Sequence, residues 1–215
     1  MALVCGVDEA GRGPVIGPMV MCGFVIDEKS LDKLKSIGVR DSKTLSPKQR
    51  EDMFNKIKEA AKKFEIVTVT QKEIDEAVES DSSNLNWLEA TKTAIILNKL
   101  KPNKAIVDSP SHNTKAYKNF LLTYLIDKKL DLKVENDAER YLPVAAASIL
   151  AKVTRDREIE KLKEKCGDFG SGYPSDPKTK AFLEKNWHKY KEIFRKSWSS
   201  YKRVAGQKKL SAFTK

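Results

Sequence analysis

Asp8 and Glu9 stand side by side at the end of a short apolar run, Val4-Cys5-Gly6-Val7, and Gly11-Arg12-Gly13 follows almost at once. Such a run reads as a buried strand, and a buried carboxylate must be paired, hydrogen-bonded or bound to a cation. Successive strand residues face opposite sides, so both acids reach one site only if the backbone turns at Glu9. Gly11 and Gly13 permit that turn and let the backbone approach a ligand closely. Arg12 between them offers a planar fork suited to phosphate. Further acids stand where other strands should end: Asp108 after Ala105-Ile106-Val107, and Glu135, Asp137 and Glu139 after Leu130–Val134. Each alone is more simply a turn or a helix cap; their joint placement points to metal. Converging carboxylates repel one another and need cations. With no His or Cys among them, hard oxygen ligands favour Mg2+ or Mn2+ over zinc. Two such ions roughly 4 Å apart clamp the attacking and leaving oxygens of a phosphodiester.

These residues need a scaffold that brings strand ends together. Met19–Ile26 reads as a second strand, Phe64–Thr70 as a third, Ala105–Val107 as a fourth and Leu130–Val134 as a fifth. A short helix over Ser30–Ile37 precedes the polar loop Arg40-Asp41-Ser42-Lys43. Ser46-Pro47-Lys48-Gln49 has the form of a capping box with proline at the first helical position, and opens a helix to about Lys63. Other helices are expected from Asn84 to about Leu100, Asn113 to Leu125, Pro143 to about Lys165 and Asp176 to about Tyr190. The helix from Pro143 carries Ala145, Ala146, Ala147 and Ala151, small residues suited to close packing on a sheet. This order predicts an α/β fold with a mixed sheet covered by helices. If strands 1, 4 and 5 are parallel neighbours, their acids meet at the carboxyl ends, where open α/β sheets bind ligands.

Composition narrows the partners. The net charge is +11 over 215 residues. From Pro177 to Lys215 there are twelve Lys or Arg and two acids, so nearly all the excess lies in the C-terminal stretch and suits a polyanion such as nucleic acid. Trp187, Tyr190, Phe194, Trp198 and Tyr201 in that stretch are expected mostly in the core. No apolar run approaches the roughly 20 residues of a membrane span, and the N-terminus lacks the apolar segment of a signal peptide. Cys5, Cys22 and Cys166 lack CxxC spacing and read as reduced residues of a cytoplasmic protein. His112 and His188 are too isolated for a zinc site or a Ser-His-Asp triad.

At this point the sequence resembles a type 2 ribonuclease H (ribonuclease HII), nearest its archaeal form. The resemblance rests on Val7 to Pro14, Asp41-Ser42-Lys43, Asn84-Leu85-Asn86, Val107-Asp108-Ser109, Ala145 to Asp156, and Gly170 to Pro174. It implies a ribonuclease H-like five-stranded sheet with a C-terminal helical segment: a catalytic domain over residues 1–165, helices packed on it over 166–204, and a flexible tail over 205–215. It implies cutting of RNA in RNA–DNA hybrids and at single ribonucleotides embedded in duplex DNA, with two divalent ions during catalysis. By the same resemblance Asp8, Glu9 and Asp108 bind the metals, and Gly11, Arg12 and Gly13 contact the 2′-hydroxyl side of the substrate. Tyr173 stacks on the sugar after the ribonucleotide, and Lys43 and Asn84 hold a backbone phosphate. A resolvase-like nuclease would share the carboxylates without needing the Gly-Arg-Gly turn or Tyr173. A non-catalytic hybrid binder would gain nothing from clustered negative charge. Nothing demands a partner subunit, and a monomer is expected.

Two features depart from the pattern or lie outside it. The family places its fourth acid in a Lys-Ala-Asp run a fixed distance before the proline. Here Ala138 falls on that position, and a one-residue shift in either direction makes the acid Asp137 or Glu139. In an extended segment the two face the same side; Asp137 is preferred for residue type and shorter reach. At the C-terminus, Gln207, Leu210 and Phe213 have the spacing of the box by which replication and repair proteins bind the sliding clamp. Leu210 and Phe213 share one helical face, and the usual second aromatic is replaced by Thr214. A disordered basic tail without a partner is the competing expectation.

Overall fold

The computed structural model describes residues 2–212, with side chains to Gly206. Its strands are β1 (Leu3–Ala10), β2 (Met19–Asp27), β3 (Lys63–Val69), β4 (Lys104–Asp108) and β5 (Asp131–Glu135). Its helices are α1 (Leu31–Ile37), α2 (Pro47–Ala60), α3 (Gln71–Glu79), α4 (Leu85–Leu100), α5 (Thr114–Tyr124), α6 (Leu142–Cys166), α7 (Pro177–Asn186) and α8 (Ser199–Ala212). The sheet order is β3-β2-β1-β4-β5. β1 runs antiparallel to β2 and parallel to β4, and β4 runs parallel to β5. The expected neighbourhood of strands 1, 4 and 5 is therefore present, and the acid-bearing ends of β1 and β4 lie side by side.

The chain divides into two units that interleave along the sequence. The first holds residues up to Ala10, Val20–Thr68 and Leu85–Thr154; the second holds Gly11–Met19, Val69–Asn84 and the chain from Arg155 on. The sequence reading instead places the division at residue 165, in continuous blocks. The difference arises because residues 15–17 leave the sheet and bond elsewhere: the Val15 N–H donates to Gly172 O, and the Gly17 N–H to Ile193 O.

In the first unit, every residue of β2 is buried. Phe24 and Ile26 pack in one cluster with Ala145, Ala146, Ala147 and Ile149 of α6. The small face of α6 allows close approach: a Cβ built on Gly6 would lie 2.1 Å from the Pro143 carbonyl carbon. The capping box of α2 is present, with the Gln49 N–H donating to Ser46 Oγ and the Ser46 N–H to Gln49 Oε1. In the second unit, Phe169, Leu183, Phe194 and Tyr201 form the core, with Trp187, Tyr190 and Trp198 packed against it. The C-terminal aromatics are thus largely structural. The backbone from 205 to 212, read from sequence as tail, continues α8. The side chains of Gln207 and Leu210, and all of Phe213, lie outside the described residues. Among those described, no helix is long and apolar enough to cross a membrane.

Candidate active site

β1 delivers Asp8 and Glu9, and β4 delivers Asp108. The parallel register pairs Val7 with Val107, so Asp8 and Asp108 occupy the next matched positions. Asp8 is 4% exposed. Its Oδ1 accepts the Glu9 N–H at 2.7 Å, while its Oδ2 is buried without a hydrogen-bond partner. Burial is the main reason its carboxyl titrates well above the usual range. The charge of Glu9 adds to this, the nearby Ser148 hydroxyl opposes it, and Asp108 and Glu139 raise it further. Asp108 is half-buried and also shifted up by burial, against the Ala138 N–H that donates to its Oδ1 at 2.7 Å.

A break in the strand decides which of the two candidates for a fourth acid turns inward. The extended segment expected through residue 139 ends at Glu135. Asp137 adopts φ 54°, in the left-handed region, and a short 3₁₀ turn covers Ala138–Arg140. Alternation is lost there: Asp137 is exposed, and Glu139 is buried. Glu139 raises the titration of both Asp8 and Asp108, and acts more strongly on Asp108 than Asp137 does. Glu139 Oε2 accepts from the Ser42 hydroxyl at 2.6 Å and from the Ser42 N–H at 3.0 Å. Its Oε1 lies 3.2 Å from Lys43 Nζ and 3.5 Å from Lys152 Nζ. Burial alone would raise this carboxyl; the Ser42 donors, Lys152 and Lys43 overcome it and hold it at about 2. Lys152 also donates to Ser42 Oγ and, at 2.8 Å, to Ser148 Oγ. Ser42, Ser148 and Lys152 thus surround Glu139, although sequence reasoning gave none of them a role. All three stand in stretches that carry the family resemblance, and the i, i+4 spacing of Ser148 and Lys152 puts both on one helix face.

The cluster suits a hard divalent cation. All its donors are oxygens, and the unsatisfied Asp8 Oδ2 is the kind of buried atom a metal satisfies. Among the described residues, no three acidic, His or Cys side chains converge closely enough to hold a cation as they stand. Lys43 and Lys152 are the cations that stand at Glu139.

The second unit holds the remaining candidates. Gly11 has φ +80°, and a Cβ there would stand 3.0 Å from Pro18 O; the turn needs glycine for both reasons. Three consecutive carbonyls of this turn are tied down. Arg195 Nη2 donates to Gly11 O at 2.5 Å, Arg195 Nη1 to Arg12 O at 2.6 Å, and Trp198 Nε1 to Gly13 O at 3.0 Å. Tyr173 presents a ring 41% exposed, and a Cβ on Gly13 would stand 3.4 Å from its Cε1. The Tyr173 loop is fastened before and after the ring: the Arg155 guanidinium donates to Ser171 O at 3.1 Å, the Gly172 N–H to Thr179 Oγ1 at 3.0 Å, and the Asp176 N–H to Tyr173 O at 3.1 Å. Asn84 also belongs to this unit, whereas Lys43 belongs to the first.

The sequence matches the ribonuclease HII family over residues 5–201. A ribonuclease HII of Pyrococcus horikoshii is 49% identical over 87% of this chain and 84% of its own. The chain belongs to the ribonuclease HII family. The crystal structure of the ribonuclease H2 from P. horikoshii OT3 superposes with a TM-score of 0.86 at 45% identity, covering 95% of this chain and 98% of that one. Ribonuclease HII from Archaeoglobus fulgidus, solved as a PCNA:RNase HII complex, gives a TM-score of 0.81 at 38% identity over 94% and 96% of the two chains. Bst-RNase HIII in complex with Mn2+ gives 0.81 at 19% identity over 96% and 70%, which shows the fold alone. The mixed five-stranded sheet is thus the ribonuclease H fold, and this ribonuclease HII family member is a ribonuclease H enzyme.

Proposed function

We propose that the chain hydrolyses the RNA strand of RNA–DNA hybrids and cuts on the 5′ side of single ribonucleotides in duplex DNA, leaving 3′-hydroxyl and 5′-phosphate ends. Asp8, Glu9 and Asp108 would hold two divalent ions, Mg2+ or Mn2+, with Glu139 rather than Asp137 as the fourth acid. Such ions supply a nucleophilic water at neutral pH and stabilise charge on the phosphate. The chain's own work is to keep Asp8 dry and charged neighbours close, and to recognise the ribose. The backbone of the Gly11–Gly13 turn would meet the 2′-hydroxyl, which both donates and accepts. Lys43 and Asn84 would hold phosphates. The observation that supports the reading is Tyr173, an exposed ring kept against Gly13 by a fastened loop and suited to stacking on a sugar.

The test is a duplex carrying one ribonucleotide, incubated with the protein and Mg2+. A single cut with a 3′-hydroxyl is expected, and a 2′,3′-cyclic phosphate would refute the reading. Tyr173→Ala should lose more on this substrate than on a continuous RNA strand, because a long hybrid offers many docking registers. Aromatic stacking contributes roughly 1–3 kcal/mol in single-strand binding, which sets the upper range of the loss; equal losses on both substrates would count against the role.

For the fourth acid, Glu139→Gln is expected to lower turnover by about 100-fold, the scale of losing one preorganised electrostatic group. Asp137→Asn, at an exposed position, should change it less than about twofold. Steady-state rates in Mg2+ decide between them, and the reverse order would restore Asp137.

A clamp-binding role is proposed for Gln207, Leu210 and Phe213, supported by their spacing and by the A. fulgidus relative solved with PCNA. Deleting residues 206–215 keeps Tyr201 and Val204, the buried residues among the described side chains of α8, so cleavage of short substrates should survive. Titration calorimetry should show loss of binding to the cognate clamp, and undiminished binding would reject the box.

A further inference from the structure

We infer that Arg195, assisted by Trp198, is the positioning residue that aims the peptide N–H groups of the Gly11–Gly13 turn, and so sets the preference for ribose over deoxyribose. The inference rests on the reading above that this turn meets the 2′-hydroxyl. Arg195 is fully buried. Its guanidinium donates to three backbone carbonyls at once: Gly11 O, Arg12 O, and Gly17 O at 3.0 Å from Nε. Trp198 takes the fourth, Gly13 O, and its ring lies 5.0 Å from the guanidinium carbon. In a planar trans peptide the N–H points opposite to the C=O before it. Tying the carbonyls of Gly11 and Arg12 to one side therefore turns the N–H groups of Arg12 and Gly13 to the other. A buried cation on the oxygen side also polarises these peptides and strengthens their donors.

The anchor is itself held. The Arg195 N–H donates to Val15 O at 2.8 Å. Asp75 accepts from Lys196 N and Ser197 N, each at 2.9 Å, and from Ser197 Oγ at 2.6 Å. The backbone from Arg195 to Ser197 is thereby held independently of the guanidinium. Lysine cannot replace such a fork, since it offers one compact ammonium instead of a planar array of donors.

The experiment uses the full chain with Arg195→Lys and Trp198→Phe. Binding to a duplex with one ribonucleotide and to the matching all-DNA duplex is measured by anisotropy in an Asp8→Asn background. kcat and KM are measured with Asp8 intact. A misplacement of catalytic geometry by about 1 Å can cost about 100-fold. Arg195→Lys is therefore expected to lose about 100-fold, mainly in kcat, and Trp198→Phe about tenfold. Both should shrink the binding ratio of ribonucleotide to all-DNA duplex while all-DNA binding stays within about twofold. Circular dichroism confirms folding; should Arg195→Lys fail to fold, Trp198→Phe, which keeps the ring packing, decides. An undiminished ratio in the folded variants, or equal weakening on both duplexes, overturns the inference. Absence of any preference in the unsubstituted protein overturns the reading of the turn and the inference with it.

Discussion

Asp8→Asn is expected to abolish cleavage, by about 10⁴-fold or more, while the protein folds and binds hybrid as well as before or more tightly. Groups that act as one catalytic unit give losses of that order when one is removed. Asp8 is the most buried of the cluster, with one oxygen unsatisfied and with Glu9, Asp108 and Glu139 all adding negative charge around it. Asparagine keeps the volume and removes the charge. The sign of the stability effect follows from the titration. A carboxyl whose folded pKa lies above its unfolded value opposes the fold once ionised. At neutral pH without divalent ions, Asp8→Asn should therefore melt no lower than the unsubstituted protein. Tighter binding is expected because one repulsion against the phosphates is gone. Single-turnover cleavage, anisotropy and thermal melts check the three parts, and near-normal turnover in Mg2+ would remove Asp8 from the metal site.

Gly6→Ala should be the most damaging small substitution in the first unit. Its new Cβ would stand 2.1 Å from the Pro143 carbonyl carbon and 2.2 Å from Val144 N. Both are backbone atoms at the start of α6, so no side chain can swing aside. The helix cannot easily retreat, because Ala145, Ala146 and Ala147 are packed with no exposure. Overpacking typically costs about 1–3 kcal/mol, and a contact this short belongs at or beyond the upper end. For a chain of this size, that lowers the melting temperature by about 10 °C. Gly6 and Asp8 lie on the same face of β1, so activity should fall with stability. Gly206→Ala is the control: nothing lies within 4 Å of its Cβ, and its melting temperature should hold or rise slightly. Equal melting temperatures for the two variants would show that β1 and α6 have room to part.

The five strands could be located from sequence because apolar runs and polar turns alternate clearly, and the capping box at Ser46 marked the start of α2 within a residue. α3 was missed, although it carries a capping box of its own between Thr70 and Glu73. α8 was expected only as part of a helical segment ending at residue 204, because Gly206 and the polar residues after Val204 leave little that looks able to hold a helix. At the candidate site, the neighbouring placement of Asp8 and Asp108 was legible because strand ends in a parallel sheet meet. The inward turn of Glu139 was not, because an extended segment was expected where Asp137, at φ 54°, breaks the alternation, and an aspartate in that conformation has no sequence signature as strong as a glycine's. Arg195 was illegible: in a stretch with twelve basic residues, nothing marks the one that turns inward.

The packing of β2 has a consequence for synthesis. All nine of its residues are buried, yet the cover supplied by Ala145–Ala147 and Ile149 is translated far later. At about 5–20 residues per second, the nascent β1–β2 hairpin waits several seconds with an apolar face and an unpaired edge. That exposed interval is where aggregation or chaperone capture competes with folding. Soluble yield should therefore respond to elongation rate and chaperone supply more than to the stability of the finished enzyme.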